Sequence, residues 1–445
     1  MLGLLVLRRQ RPGFDPQWGR CMEDLSRAAL KEMDWPPLEP QAGVIDDATL
    51  RAAIAQFTAA GCDTLIVLQP SMGDIRLVPT LAQQWNGGIV FWATPERPDG
   101  EKVSSCSLVG AHAAAALLRQ LGRPFELVWG HPGEELTRQR LRQGVRVART
   151  GTMLRRAKIG LIGEHAPGFI DMQADPATLS RQLGTHLHQI ALQELIDRVR
   201  GISEEQLSRD IAAAQELGLS GDAVAHESLA IDSRYYLAMR GMMEDQNLDA
   251  LAVRCWPELP NIFGQWPYLA MARLTTERRI VALEGDADGA LTGLILSLLD
   301  LGPGYISDWL EHEDRSITLW HPGHAPLWLC EPVGSADGPR LGTHFNTGQP
   351  LVVNAVLRAE LPITICRAWR CGGRYRMTAA RAYTRQPKRR LLGAHGRAEL
   401  LDRDAGEWFE ELCHAGMPHH ITIVEGHHEE LLRRCARHLR IEWGP

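Results

Sequence analysis

Glu284 stands directly after the apolar run 280–283 and opens the stretch EGDADGALT, with Asp286 and Asp288 close behind it. Carboxylates gathered at the end of a buried strand suit a hard divalent ion, because Mg²⁺ and Mn²⁺ prefer oxygen ligands. Acidic residues at a helix start serve the helix dipole equally well. That plainer role is favoured for Asp286 and Asp288, and the ligand role for Glu284, which lies nearest the strand end. Asp308, in GPGYISDWLEHE, comes one helix (289–299) and one returning strand later, so both carboxylates reach one rim of the sheet. An Asp in a stretch rich in Gly and Pro is otherwise a turn residue. His419 and His420, in MPHHITIV, stand between a proline and an apolar run. A strand-edge histidine can give one ring nitrogen to a metal while its neighbour contacts substrate; a pair of surface histidines is the alternative.

Further candidates are softer. Glu258 follows the run 249–254 across Trp256-Pro257 and faces the same rim. His321 and His324, in LWHPGHAPLWL, divide evenly between lining a pocket and supporting structure, while His427 and His428 read as solvated residues at a helix start. Arg8, Arg9 and Arg11 follow the first apolar run. Charged loop residues are the default there, but these are placed to read an anionic group or another subunit's sugar.

The elements that must position these groups alternate. Apolar runs at 2–7, 62–68, 88–92 and 125–128 read as buried strands, separated by helical patterns at 18–32, 46–60, 75–84 and 110–121. Such alternation implies parallel strands joined by right-handed crossovers. Residues 146–156 read as a polar, basic connector. The pattern then restarts, with strands at 157–162, 249–254 and 280–283 and helices at 203–217, 223–243, 267–272 and 289–299. After about residue 302 the texture changes to short strand-like runs at 317–320, 327–330, 351–357, 363–369 and 374–379, as in an antiparallel barrel or sandwich. A helix at 405–414, a strand at 420–424 and a helix at 429–439 close the chain. The expected architecture is two doubly wound, Rossmann-like α/β domains (1–154 and 155–303) followed by a β-rich, barrel-like domain (304–445). In open α/β sheets ligands bind beyond the carboxyl ends of strands, where Glu284 lies.

Composition excludes several functions. The 445-residue chain is 44% hydrophobic and 23% charged, with a net charge of −6. That balance can bury a large core, and it lacks the basic footprint of a nucleic-acid binder; the short run RQPKRR (385–390) stands without a supporting basic stripe. Nine cysteines, odd in number and without a CxxC pair, argue against a disulfide framework or zinc knuckle. No P-loop, GxGxxG, GxSxG or HExxH is present. The apolar start is too short for a signal peptide or membrane helix, so a cytoplasmic protein without membrane contact is expected.

Taken together, RCWPELPNIFGQ (254–265), EGDADGALT (284–292), YISDWLEHEDRSITLWHPGHAP (305–326) and MPHHITIVEGHHEELL (417–432) resemble the L-fucose/L-arabinose isomerase family. AKIGLIGEHAPGFID (157–171) is similar to the strand and loop opening the family's second domain, whereas the first 150 residues match only in their α/β pattern. The resemblance implies a site between the second and third domains and a Mn²⁺-type ion (Mg²⁺ and Co²⁺ being alternatives) held by Glu284, Asp308 and His420. It implies that the carboxylates double as acid/base groups, and that the protein is a homo-oligomer. The chain is shorter than typical members, and the loops that read sugar hydroxyls do not align, which leaves the sugar open: a hexose, deoxyhexose, sulfonated hexose or pentose.

The expected activity is therefore aldose–ketose isomerisation through an ene-diolate. A divalent ion stabilises the developing charge, one carboxylate removes the proton between C1 and C2, and another group returns it. Glu284 and Asp308 take the catalytic roles, and Glu258, His321, His419 and Arg9 contact the substrate. The alternatives are a sugar-binding protein without catalysis and a metal-dependent hydrolase.

Overall fold

A computed structural model describes residues 1–8, 14–40, 43–221 and 226–445. The chain forms two compact units, Met1–Leu154 and Arg155–Pro445.

In the first unit, β1 (Leu2–Val6), β2 (Thr64–Gln69), β3 (Gly88–Ala93) and β4 (Glu126–Trp129) lie side by side in that order, every pairing parallel. Their near-continuous apolar character follows from burial on both faces. Helices Asp47–Ala59, Val78–Gln84 and Ser107–Gln120 cover the face carrying Leu5, Leu65, Val67 and Phe91. Helices Pro16–Glu32 and Glu135–Leu154 cover the face carrying Leu4, Ile66, Val90 and Trp92. Each fully buried Leu, Ile or Phe here stabilises the unit by about 1.5–3 kcal/mol relative to exposure. Helix Asp47–Ala59 starts on a capping box, Asp46 accepting from the Thr49 N–H and the Thr49 hydroxyl accepting from the Asp46 N–H. Residues 146–154 are not a connector but the last turns of helix Glu135–Leu154. The arginines that make this segment look like a loop mask the stripe Leu141, Val145 and Ala148, which is buried.

The second unit opens with β5 (Lys158–Ile162), β6 (His186–Ile190), β7 (Ala250–Val253) and β8 (Ile280–Ala282), again all parallel but in the order β6-β5-β7-β8. The order reverses between β5 and β7, which opens a crevice at their carboxyl ends. Strand β6 escapes the sequence reading because, as an edge strand, its HLHQI carries polar residues on exposed positions.

The rest of the unit is a nine-stranded sheet. Its strands are β9 (Tyr305–Glu313), β10 (Ser316–His321), β11 (Arg340–Thr343), β12 (Pro350–Val356), β13 (Pro362–Cys371), β14 (Arg374–Arg385), β15 (Ala394–Leu400), β16 (His420–Glu425) and β17 (Glu442–Trp443). They run in the order β11-β12-β15-β10-β9-β16-β13-β14-β17, and a further pairing of β14 with β15 closes the ring β15-β10-β9-β16-β13-β14. Every pairing within the ring is antiparallel. Two α/β layers followed by a barrel-like β region is the architecture the sequence implies. The run at 327–330 departs from it: Leu327–Leu329 is a turn of 3₁₀ helix, not a strand.

Candidate metal centre

The barrel register brings two of the expected residues together. Asp308 on β9 pairs directly with His420 on β16 and, on its other side, with Trp320 on β10. Residues opposite one another in an antiparallel pair share a face, and His420 Nε2 lies 3.8 Å from Asp308 Oδ1. Glu284 arrives from the parallel sheet, just past β8, in a left-handed backbone conformation (φ 57°) uncommon for a side chain with a Cβ. Its N–H points at Cys255 Sγ, 3.4 Å away. Its Oε1 accepts the Trp256 indole N–H at 2.8 Å, and its Oε2 lies 3.3 Å from His420 Nε2.

His321, at the end of β10, completes the group. Glu284, His321 and His420 can each present a ligand atom within 4.8 Å of the others, and so can Asp308, His419 and His420. His420 belongs to both sets. Glu284, His321 and His420 are buried, while His419 and Asp308 keep 36% and 27% of their side-chain surface exposed, so the cluster opens on their side.

Behind the cluster, His420 Nδ1 donates to Asp286 Oδ2 at 2.9 Å. Asp286 is gripped by both terminal nitrogens of Arg367 at 2.7 Å each, and its Oδ1 caps helix Ala287–Leu298 through the Gly289 N–H at 2.8 Å. Asp288 accepts the Tyr375 hydroxyl at 2.8 Å. At the mouth, His419 Nδ1 donates to Asp171 Oδ2 at 2.8 Å, and its ring lies 4.6 Å from Phe169, which meets Trp256 edge-on. Phe169 and Asp171 follow β5 and Trp256 follows β7, so the site occupies the crevice where the strand order reverses.

The electrostatics favour a cation. Burial opposes charge on His420, but the carboxylates of Asp286 and Glu284 outweigh it and push its pKa up to about 10. Burial likewise opposes charge on Glu284, and His420 outweighs it, holding the carboxyl below its usual range. Asp308 is pushed upward by burial. Burial holds His321 well below the ordinary imidazole value and His324, packed against it, down to about 3, so both are neutral. Three buried polar atoms here, His420 Nε2, Asp308 Oδ1 and His321 Nδ1, have no hydrogen-bond partner. Carboxylate oxygens and a neutral imidazole are the donors a divalent ion takes, and unpaired buried polar atoms are costly unless something satisfies them. The buried Glu–His cluster is thus able to hold such an ion.

The other candidates fare differently. Glu258 is tied up by Arg254, whose Nε donates to it at 2.9 Å. Arg8 forks onto Glu23; Arg9 and Arg11 lie outside the described residues. His427 meets the Ala382 carbonyl, and His428 that of Glu425. The sequence reading did not single out Trp256, Phe169, Asp171 or Arg367. The strand-end rule that found Glu284, which takes ionisable residues directly after strands, passes over Trp256 and Phe169 and does not reach Asp171, which lies well beyond the end of β5. Arg367 lies inside a strand, where nothing in the sequence distinguishes it from a surface arginine.

No protein-family model matches the chain. It is similar over nearly its whole length to sulfoquinovose isomerase from Priestia aryabhattai, at 26% identity over 438 residues, covering 95% of this chain and 96% of that one. A sulfoquinovose isomerase from Alkalicoccus urumqiensis is 25% identical, covering 86% of each chain. L-arabinose isomerase from Anoxybacillus flavithermus is 24% identical over 261 residues, covering 54% of this chain and 51% of that one. The resemblance to the L-fucose/L-arabinose isomerase family is borne out: these relatives are sugar isomerases.

Proposed function

We propose that the chain is a metal-dependent aldose–ketose isomerase whose cation is held by Glu284, Asp308 and His420, joined by His321. One observation carries the reading: buried His420 Nε2 faces the carboxylates of both Glu284 and Asp308, His321 lies within ligand range of Glu284 and His420, and His420 Nε2, Asp308 Oδ1 and His321 Nδ1 have no hydrogen-bond partner. A sulfonated hexose is the favoured substrate, because the relatives matched end to end are sulfoquinovose isomerases, whereas the arabinose isomerases match over about half the chain. Mn²⁺ is the favoured cation, with Mg²⁺ and Co²⁺ as alternatives. The resemblance also favours a homo-oligomer.

When bound, the cation supplies positive charge that stabilises the anion developing on the sugar oxygens. The residues do the rest. One carboxylate of the pair Glu284 and Asp308 removes the proton from C2 of the open-chain aldose, leaving an ene-diolate, and the proton returns to C1 as the hydroxyl proton on O2 passes to O1. Trp256 fixes the Glu284 carboxylate through its Oε1. Burial makes Asp308 readier than an ordinary aspartate to carry a proton. His419, oriented by Asp171 and exposed at the mouth, is placed to contact a substrate hydroxyl.

The test is an assay of sulfoquinovose, L-arabinose and L-fucose with Mn²⁺, following ketose formation. Turnover is expected on at least one sugar, and Glu284→Gln should abolish it and weaken Mn²⁺ binding. Full activity in Glu284→Gln, or in protein stripped of metal, would rule the mechanism out.

A further inference from the structure

Arg367 touches none of the groups that face the cluster, yet it is completely buried, as are Asp286 and His420. A buried guanidinium carries a heavy desolvation penalty unless its donors are met. Here two of them are met by one carboxylate, Nη1 to Asp286 Oδ2 and Nη2 to Asp286 Oδ1, both at 2.7 Å. The same two oxygens have one further duty each: Oδ1 takes the Gly289 N–H, and Oδ2 takes His420 Nδ1. The carboxylate is therefore held in its plane from both sides and presents Oδ2 to the imidazole in one orientation.

That orientation decides which ring nitrogen of His420 is available. A carboxylate held by an arginine fork offers only lone pairs, so the nitrogen facing it must be the donor. His420 Nδ1 consequently carries a hydrogen, which leaves Nε2, the atom facing Glu284 and Asp308, free to present its lone pair once a cation takes the place of a proton. We propose that Arg367 is a positioning residue: through Asp286 it fixes His420 in the tautomer and rotation that aim Nε2 into the metal centre. It acts across two side chains and from a different strand, β13, so its effect should travel entirely through His420. This inference rests on the metal-dependent reading above.

The experiment is a double-mutant cycle read by Mn²⁺ affinity, with free Mn²⁺ followed by electron paramagnetic resonance in the absence of any sugar. Arg367→Met in the otherwise native protein should weaken Mn²⁺ binding by about 10–100-fold, the range seen when a partner behind a ligand histidine is removed. In a His420→Ala background, where binding is already weakened, the same substitution should change affinity by less than about 2-fold, because nothing remains for Arg367 to orient. General damage to the fold would weaken both backgrounds alike. If Arg367→Met does not fold, Arg367→Lys keeps the charge but cannot fork both oxygens, and it carries the same cycle.

Equal losses in the two backgrounds, or native affinity in Arg367→Met or in its Lys replacement, would overturn the positioning role. If native protein binds no Mn²⁺, the metal-dependent reading falls and takes this inference with it. If native protein binds Mn²⁺ and the cycle is additive, only this inference falls.

Discussion

At the scale of single residues, His321 is where position adds most to what its type implied. Its sequence context, LWHPGHAP, left it between substrate contact and structure; in the fold it lies within ligand distance of Glu284 and His420 and is neutral because burial opposes its protonation. A neutral imidazole with an unpartnered Nδ1 has a lone pair or a hydrogen to give. If it serves as a ligand, His321→Ala should reduce Mn²⁺ affinity by roughly 10-fold or more, whereas His419→Ala, at the open mouth, should raise KM with little change in Mn²⁺ affinity. Calorimetric Mn²⁺ titration alongside steady-state kinetics separates the two; native Mn²⁺ affinity in His321→Ala would return that residue to lining the pocket. Glu284, Asp308 and His420 were legible in the sequence as candidates, Glu284 from the strand end it follows, Asp308 from its spacing to Glu284 and His420 from the strand edge it occupies. Their supports were not. Trp256, Asp171 and Arg367 come from β7, β5 and β13 surroundings, and their partners are fixed only when the sheets stack.

At the scale of elements, most of the buried strands and the cleanly amphipathic helices were readable: helices Ala405–His414 and Glu429–Leu439 and the start of β16 at His420 lie where periodicity puts them, whereas β11 and β15 went unread. Two of the failures share a cause. Helix Glu135–Leu154 and edge strand β6 keep one face in solvent, and their polar residues hide a narrow buried stripe. Helix His226–Asp245 shows the opposite device, a charge placed where the core is driest. Asp232 on that helix is fully buried and shares Arg273 with Asp210, two carboxylates against one guanidinium. Burial is the main cause pushing the Asp232 pKa up to about 6, against which Arg273 acts. The native state therefore binds a proton at Asp232 more tightly than the unfolded chain does. Its stabilising contribution is fully present below the ordinary carboxylate range and is lost as pH rises through about 6. Asp232→Asn resembles the protonated form at every pH. Relative to native protein, the Asn variant should gain stability between pH 4 and pH 7, by roughly 2–3 kcal/mol at most. Thermal melts of both proteins at the two pH values check the sign, and a difference that stays flat or shrinks with pH would show that Asp232 is charged throughout.

At the scale of the whole molecule, the proposed metal centre would add to the contacts that already join two layers of the second unit, among them the Arg367–Asp286 pair and the Tyr375–Asp288 hydrogen bond. Glu284 belongs to the parallel sheet of the second unit, whereas Asp308, His321 and His420 belong to its barrel. A cation bound by residues from both can be held by the native state but not by an unfolded chain in which those residues are far apart in sequence. Ligand binding of that kind stabilises by RT ln(1 + [L]/Kd), about 2.7 kcal/mol at a concentration a hundredfold above Kd. For a unit of this size the corresponding rise in Tm is about 5 °C. The gain should be concentrated where the ligands sit, so hydrogen exchange should slow at the end of β8, in β9 and in β16, while β1 to β4 of the first unit exchange as before. Mn²⁺ should produce the rise in native protein, a chelator should reverse it, and Glu284→Gln, which keeps the shape of the side chain but removes its charge, should largely abolish it. The Gln variant also separates specific binding from a general salt effect, because an exposed acidic surface would respond to Mn²⁺ equally in both proteins. Identical melting of native protein with Mn²⁺ and with chelator, at concentrations where sugar turnover is seen, would mean that the cation is not gripped by both layers, and that the buried carboxylates and histidines meet for some purpose other than holding it.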